Sequence, residues 1–250
     1  MHYASEQGPD RKGYPEQRWL AKKMDAVFDR GQELANQGFA IVTGFGGEFV
    51  DTPGYFGRVM AHKSLQRFVE LSTKSGGHSY AVMGTGFHVS ENGEEDIDVA
   101  DRLGLAEIGD RNVFELDGKL IWHLHHGPKP GKGPNKSVPL NTEARMIYLD
   151  SLMTKERIPD AVFYGHYHQY AVGGHPYLEY PQMIQREVRM VCAPGWKIKD
   201  RFTYKVAPHG FPPIGAVWYI PSADKLAPQL YTVPMKYRDG KVKIGDGRTR

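Results

Sequence analysis

The tetrad Gly165-His166-Tyr167-His168 follows an apolar run, Ala161-Val162-Phe163-Tyr164. Opened by Pro159-Asp160 and closed by a glycine, that run reads as the end of a buried strand. Neutral imidazole is the commonest metal ligand among side chains, and a loop past a strand end can re-aim two of them at one ion. The competing reading is a pair of surface histidines on a tyrosine-rich loop. More histidines stand at comparable places. His125-His126-Gly127 closes the run Lys119–His126, and Gly84-Thr85-Gly86-Phe87-His88 follows the run Tyr80–Met83. A fourth loop, Gly44–Pro53, follows Phe39–Thr43 and carries Glu48 and Asp51. Open α/β sheets bind ligands beyond the carboxyl ends of their strands. Histidines at three such ends, far apart in the chain, point to one shared metal site.

Within Lys119–His126, alternation puts Trp122, Leu124 and His126 on one face and His123 and His125 on the other. His126 is the preferred ligand because the strand ends there. His125 is its alternative, and the far-face pair also reads as ordinary half-exposed histidines.

The elements that must position these loops follow from periodicity. Helical spacing runs through Pro15–Gln37, Tyr55–Ser72 and about Thr142–Lys155, with an acidic helix start at Glu94-Glu95-Asp96 that continues to Leu103. Acidic residues in a first turn complement the helix dipole, which explains them without a metal. Short strands are expected at Phe39–Thr43, Tyr80–Met83 and Ala161–Tyr164. Asn112–Leu116 and Lys119–His126 flank Asp117-Gly118, a two-residue hairpin signal. Gly127–Pro139 and Ala171–Gln185 read as loops. From about Arg186 the pattern is strands only: Val188–Cys192, Phe202–Val206, Ala216–Ile220, Leu230–Val233 and Lys241–Ile244. The expectation is therefore α/β architecture in one domain over residues 1–250: βα units to about residue 165 and a mostly β ending from 186.

Composition narrows the function classes. The chain has 250 residues, 40% hydrophobic and 24% charged, ordinary for a globular protein. A net charge of +3 gives no indication of nucleic acid or an anionic membrane surface. The one cysteine, Cys192, lies in an apolar run, rules out an internal disulfide framework and suits a reducing compartment. No stretch approaches the ~18 apolar residues of a membrane helix, and Met1–Lys12 has no apolar signal core. Those features place the expectation in the cytoplasm, with no membrane partner.

Taken in order, strand–Gly44, strand–Gly84-Thr85, strand–His126-Gly127 and strand–Gly165-His166-Tyr167-His168 resemble the blocks of the calcineurin-like metallophosphoesterases. That family's blocks are Asp-x-His, Gly-Asp, Gly-Asn-His, a lone His and Gly-His-x-His. The form here looks closest to phage and prophage versions, in which a Gly-Thr-x-x-His loop precedes an acidic helix and a Pro-Gly-Trp segment follows the last motif. Gly84–His88, Glu94–Leu103 and Pro194-Gly195-Trp196 match that form, as does Pro213-Ile214-Gly215 before the strand ending at Ile220. The resemblance implies two stacked mixed β-sheets flanked by helices, an αββα sandwich. It also implies hydrolysis of a phosphodiester or phosphomonoester, with one or two divalent ions (Mn, Fe or Zn) as cofactor. It gives His2 and His168 to one metal, His126 and His166 to the other, and His88 the role of general acid. Arg145 and Lys132 are basic residues available to face phosphate.

Two departures bear on activity. The chain begins Met1-His2-Tyr3, as though it started just after the aspartate of the first block, so strand one and that aspartate are expected to be missing. An open sheet position with unpaired neighbours would favour oligomer formation. Gly44-Phe45 stands where the family has Gly-Asp, and a phenylalanine coordinates nothing. Glu48 and Asp51 are the candidates to substitute, and Thr85 aligns with the family's asparagine ligand. Three histidines and a water suffice for one zinc, so the expected activity is that of an impaired or single-metal phosphoesterase. The alternative is a degenerate relative that keeps the fold as a binding or scaffold protein; an unrelated histidine-rich zinc hydrolase would leave the order of the loops unexplained. The phosphorylated partner is open among nucleic acid, nucleotide, phosphoprotein and phospholipid.

Overall fold

A computed structural model describes residues 15–46, 55–84, 94–105, 107–196 and 213–234. The helices expected from periodicity form: α1 (Pro15–Asn36), α2 (Tyr55–Lys74), α3 (Glu94–Leu103) and α4 (Val138–Thr154). α4 starts four residues earlier than expected. Pro139 falls in its first turn, where the missing N–H has no intrahelical partner to lose, so the proline that looked like part of a loop begins the helix.

Ten strands fall into three sheets among the described residues. β1 (Thr43–Phe45), β2 (Ser79–Val82) and β3 (Glu107–Gly109) are parallel, in the order β1-β2-β3. The second sheet has the order β4-β5-β6-β8-β7, from β4 (Arg111–Leu116), β5 (Lys119–Leu124), β6 (Ala161–Tyr164), β7 (Ala171–Glu179) and β8 (Ile184–Cys192). Its centre, β5-β6-β8, is parallel, and β4 and β7 flank it antiparallel. β9 (Ile214–Ile220) and β10 (Lys225–Tyr231) form a separate hairpin against α1, where Gln229 Nε2 donates to Ala26 O at 3.0 Å. The expected hairpin about Asp117-Gly118 is present. Expected strands Phe202–Val206 and Lys241–Ile244 lie outside the described residues.

The layers follow from which face each residue presents. Phe45 and Ala81 point to α2 and α3, in a cluster with Leu65, Val99 and Leu103. The opposite face of that sheet meets the five-stranded one. Tyr80 stacks on Phe114 at 5.4 Å between ring centroids, and the Asn112 amide donates to Ala81 O at 2.6 Å. The far face of the five-stranded sheet packs on α4: Val162, Tyr164, Val188, Met190 and Cys192 bury against Leu140 and Ala144. Each fully buried Val or Met contributes about 1.5–3 kcal/mol to that layer. The order helix, sheet, sheet, helix is the stacked α/β architecture expected from the sequence.

Two elements differ from the sequence reading. Residues Phe39–Val42 are not strand, and Phe39 is exposed; β1 begins at Thr43 and includes Gly44-Phe45. Gly44 lies in a strand because the sheets meet closely there: a Cβ would sit 3.1 Å from the His123 ring. The segment Ala171–Gln185, read as a loop, is β7, a turn and the start of β8. Gly173, Gly174 and Pro176 hid the strand pattern, and they are tolerated because β7 is an edge. The Gly174 N–H turns away from β8 to the Asn141 side chain at 2.9 Å. Pro176, two residues on, faces the same way, where a missing donor disturbs no ladder.

Candidate metal centre

The carboxyl ends of β5 and β6 are adjacent, since Leu124 pairs with Tyr164. The residues that follow them therefore share one rim. His125 and His126 come from β5 and His166 from β6, and their potential ligand atoms all lie within 4.8 Å of one another. Ring centroids are 4.5 Å apart for His125–His126, 4.4 Å for His126–His166 and 5.3 Å for His125–His166. His125 is buried, His166 half-buried and His126 exposed, so the group opens to solvent on one side.

Local backbone explains how imidazoles from straight strands converge. The Tyr167 N–H donates to Gly165 O at 2.8 Å, closing a three-residue turn around His166 at φ +67°. His168 also takes a left-handed conformation, φ +51°. Two non-glycine residues in that region within three positions mark a segment that its surroundings hold in place.

β1 reaches the same rim from the other sheet. His125 Nδ1 lies 2.7 Å from Gly46 O. A carbonyl only accepts, so Nδ1 carries the proton and Nε2 holds the lone pair of the neutral ring. His123, two residues earlier on the same face, is buried against Gly44, and its Nδ1 makes no hydrogen bond among the described residues. Burial, and secondarily the neighbouring His125, lowers its pKa from 6.5 to about 4. The half-exposed reading of His123 and His125 is therefore wrong: they face the packed interface between the sheets, not solvent.

The structure brings together His126 and His166 as expected and adds His125 to them, where the sequence treated His125 and His126 as alternatives. His168 stands outside that three-membered group. Its ring presses on Gly195 so closely that a Cβ there would fall 1.8 Å from Nδ1, which gives the Pro194-Gly195-Trp196 segment a positional role. Phe45, which stands where the resembled family has the aspartate of Gly-Asp, turns its side chain into the α2–α3 core. Arg145 lies on the exposed face of α4 beside Asn141, Tyr148 and His175, and Lys132 is exposed in the loop before α4; neither belongs to the histidine group. His2, His88, Thr85, Glu48 and Asp51 lie outside the described residues. The Gly46 carbonyl had no signal in the sequence, because a backbone oxygen carries none; Gly195 was legible as part of Pro194-Gly195-Trp196, but its close approach to His168 was not.

The donor set suits a divalent ion: three imidazoles stand at one rim with their potential ligand atoms within 4.8 Å of one another, and one has its tautomer set by a carbonyl. On the other side of the sheet the Cys192 thiol is buried and pushed up to about 12, which makes it an inert core group rather than a ligand.

No family model matches the chain, and no curated protein matches it. Among solved structures, it is similar to one described as a novel archaeal phosphodiesterase, with 12% identity, a TM-score of 0.42, and 84% of this chain and 95% of that chain covered. It is also similar to a protein of unknown function from Aquifex aeolicus, with 22% identity, a TM-score of 0.23, and 42% of this chain and 46% of that chain covered. Among the described residues no helix is long and apolar enough to cross a membrane.

Proposed function

We propose that this chain is a metal-dependent phosphoesterase of the calcineurin-like, phage-borne type, hydrolysing a phosphodiester or phosphomonoester in the cytoplasm of its host. The observation that carries the reading is the meeting of His126 and His166 at one rim, the two positions the motif order assigns to a common ion. His126 and His166 would hold a Mn, Fe or Zn ion, which would supply a water of lowered pKa and polarise a phosphoryl oxygen. Imidazoles add no charge, so the ion's own charge remains available to an anionic substrate. His88 protonates the leaving oxygen. The exposed side of His126 admits the substrate, and the buried side of His125 keeps water from the sheet interface.

Purified protein equilibrated with Mn or Zn is expected to retain metal by elemental mass spectrometry and to hydrolyse bis(p-nitrophenyl) phosphate or p-nitrophenyl phosphate. His166→Ala should lower turnover by about 100-fold or more, the scale of a lost site residue. Retained metal with no turnover on either ester would sink the reading. It would favour the second one, a binding protein without turnover, which the burial of Phe45 in the core supports.

A further inference from the structure

We infer that the outward face of α4 is a self-association surface, on which a second copy of this chain lays its own α4 in parallel about a two-fold axis. The inference uses no residue of the histidine rim and stands apart from the proposed activity. α4 is apolar on two sides. Its inner side, with Leu140, Ala144 and Ile147, packs on the five-stranded sheet. Its outer side carries Met146, Leu149 and Met153, with Met146 56% and Met153 83% exposed. α1 differs: its described exposed residues, such as Lys22, Asp25 and Glu33, are all charged or amides. A helix apolar all round is a buried helix, so the outer side of α4 calls for an occupant.

Spacing and charge name that occupant. Thr142, Met146, Leu149 and Met153 follow one another at intervals of four, three and four residues, with Met146 and Met153 at a and Thr142 and Leu149 at d of a coiled-coil seam. Such a seam is complementary to a copy of itself. Arg145 then falls at g and Asp150 at e; both are exposed and neither side chain makes an ion pair among the described residues. In a parallel pair the g residue of one helix faces the e residue five positions on in the other. Each Arg145 therefore meets Asp150 of the second copy, twice by symmetry. An antiparallel pair would set the flank of Glu143 and Asp150 against its own copy, like charge on like. A groove of about 570 Å³ between α4 and β7, lined by Arg145, Tyr148 and Leu149, gives the Arg145 side chain room to turn. The sheet already holds α4 helical, so association carries no cost of folding it. Two helices of 17 residues cover less than a standard interface, which makes the dimer a reversible one.

The test is sedimentation equilibrium of the full chain from about 5 to 500 μM, the range of a weak, reversible interface. The data should fit a monomer–dimer equilibrium. Leu149→Lys, which sets two ammonium groups against each other in the seam, should weaken association by about 100-fold or more while far-UV circular dichroism keeps its helical signal. Arg145→Glu, on a solvent-facing position, should weaken it by about tenfold, and adding Asp150→Arg to the same chain should restore it, because the pair is then reversed rather than lost. A chain that stays monomeric to the top of the range would overturn the inference. So would a dimer whose affinity both Leu149→Lys and Arg145→Glu leave within about threefold. Binding to phosphatidylcholine vesicles that Leu149→Lys abolishes, with no dimer in solution, would give the face to a lipid surface and overturn it as well. A dimer weakened by Leu149→Lys but indifferent to Arg145→Glu would overturn the parallel arrangement.

Discussion

The two ends of the parallel strands β5, β6 and β8 are built on opposite electrostatic plans. At the foot, where β5 and β6 begin, each cation stands beside a carboxylate. Asp160 accepts from Lys119 Nζ at 3.2 Å and from the Leu120 N–H at 2.9 Å, with Arg186 at 3.9 Å. Arg189 pairs with both Glu187 and Asp224, and the Tyr219 hydroxyl donates to Asp224 at 2.9 Å. At the rim, imidazoles stand beside imidazoles, His166 and His168 in left-handed backbone and His123 and His125 buried at the sheet interface. A network of mutually satisfied charges clamps strands in register. The imidazole cluster at the rim is instead a donor set that suits a metal ion.

Acid should separate the ends most sharply. Buried His123 has a folded pKa of about 4, against 6.5 when unfolded, so between those values the unfolded chain binds a proton that the metal-free folded protein does not. That stabilisation is complete above pH 6.5 and is lost as pH falls towards 4, by roughly 3 kcal/mol in total. Urea midpoints at pH 7 and 4.5 should show it, and His123→Leu should flatten the slope. An unchanged slope in that variant would remove the rim from the account. At the foot, burial works to raise the Asp224 carboxyl, but Tyr219 and Arg189 outweigh it and hold the pKa below the ordinary value. Its contribution therefore persists through this window and is lost only at lower pH.

Metal should act at one end only. At a hundred times its dissociation constant, zinc should add about 2.7 kcal/mol of stability. His126→Ala should abolish that gain while changing metal-free stability by no more than about 0.5 kcal/mol, as for other exposed positions. A large metal-free loss in that variant would show the rim to be structural after all. Conversely, Asp160→Ala, which strands a backbone N–H and a half-buried lysine, should cost about 2 kcal/mol and leave zinc affinity unchanged by calorimetry. Arg189→Met, which keeps the packing of the stem, should cost about 1 kcal/mol and likewise spare the metal. Loss of zinc binding in either foot variant would mean that the ends are coupled through the strands.

Periodicity and turn chemistry made α1, α2, α3 and the Asp117-Gly118 hairpin legible, because their signals are local. Segment 171–185 was not, because two glycines and a proline read as breakers until the segment is known to be an edge strand. α4 was misjudged at its start for a related reason: a proline ends a helix in its interior and begins one in its first turn. At the site, His166 was visible in the sequence because its spacing after a strand end is itself a motif. The choice between His125 and His126 was not, since alternation sorts residues by face but says nothing of what lies on the other side.

The sequence by itself determined the α/β order of elements, the strand ends that carry histidines and the absence of a disulfide framework, all set by spacing along the chain. The tertiary structure decided that His125 joins His126 and His166, that Gly46 presents its carbonyl to His125, and that Phe45 serves the core. The first depends on β5 pairing with β6, the second on two sheets meeting face to face, and the third on helices covering the other face of β1. Contacts between segments 79 and 40 residues apart are fixed by how layers pack, and no local pattern encodes them.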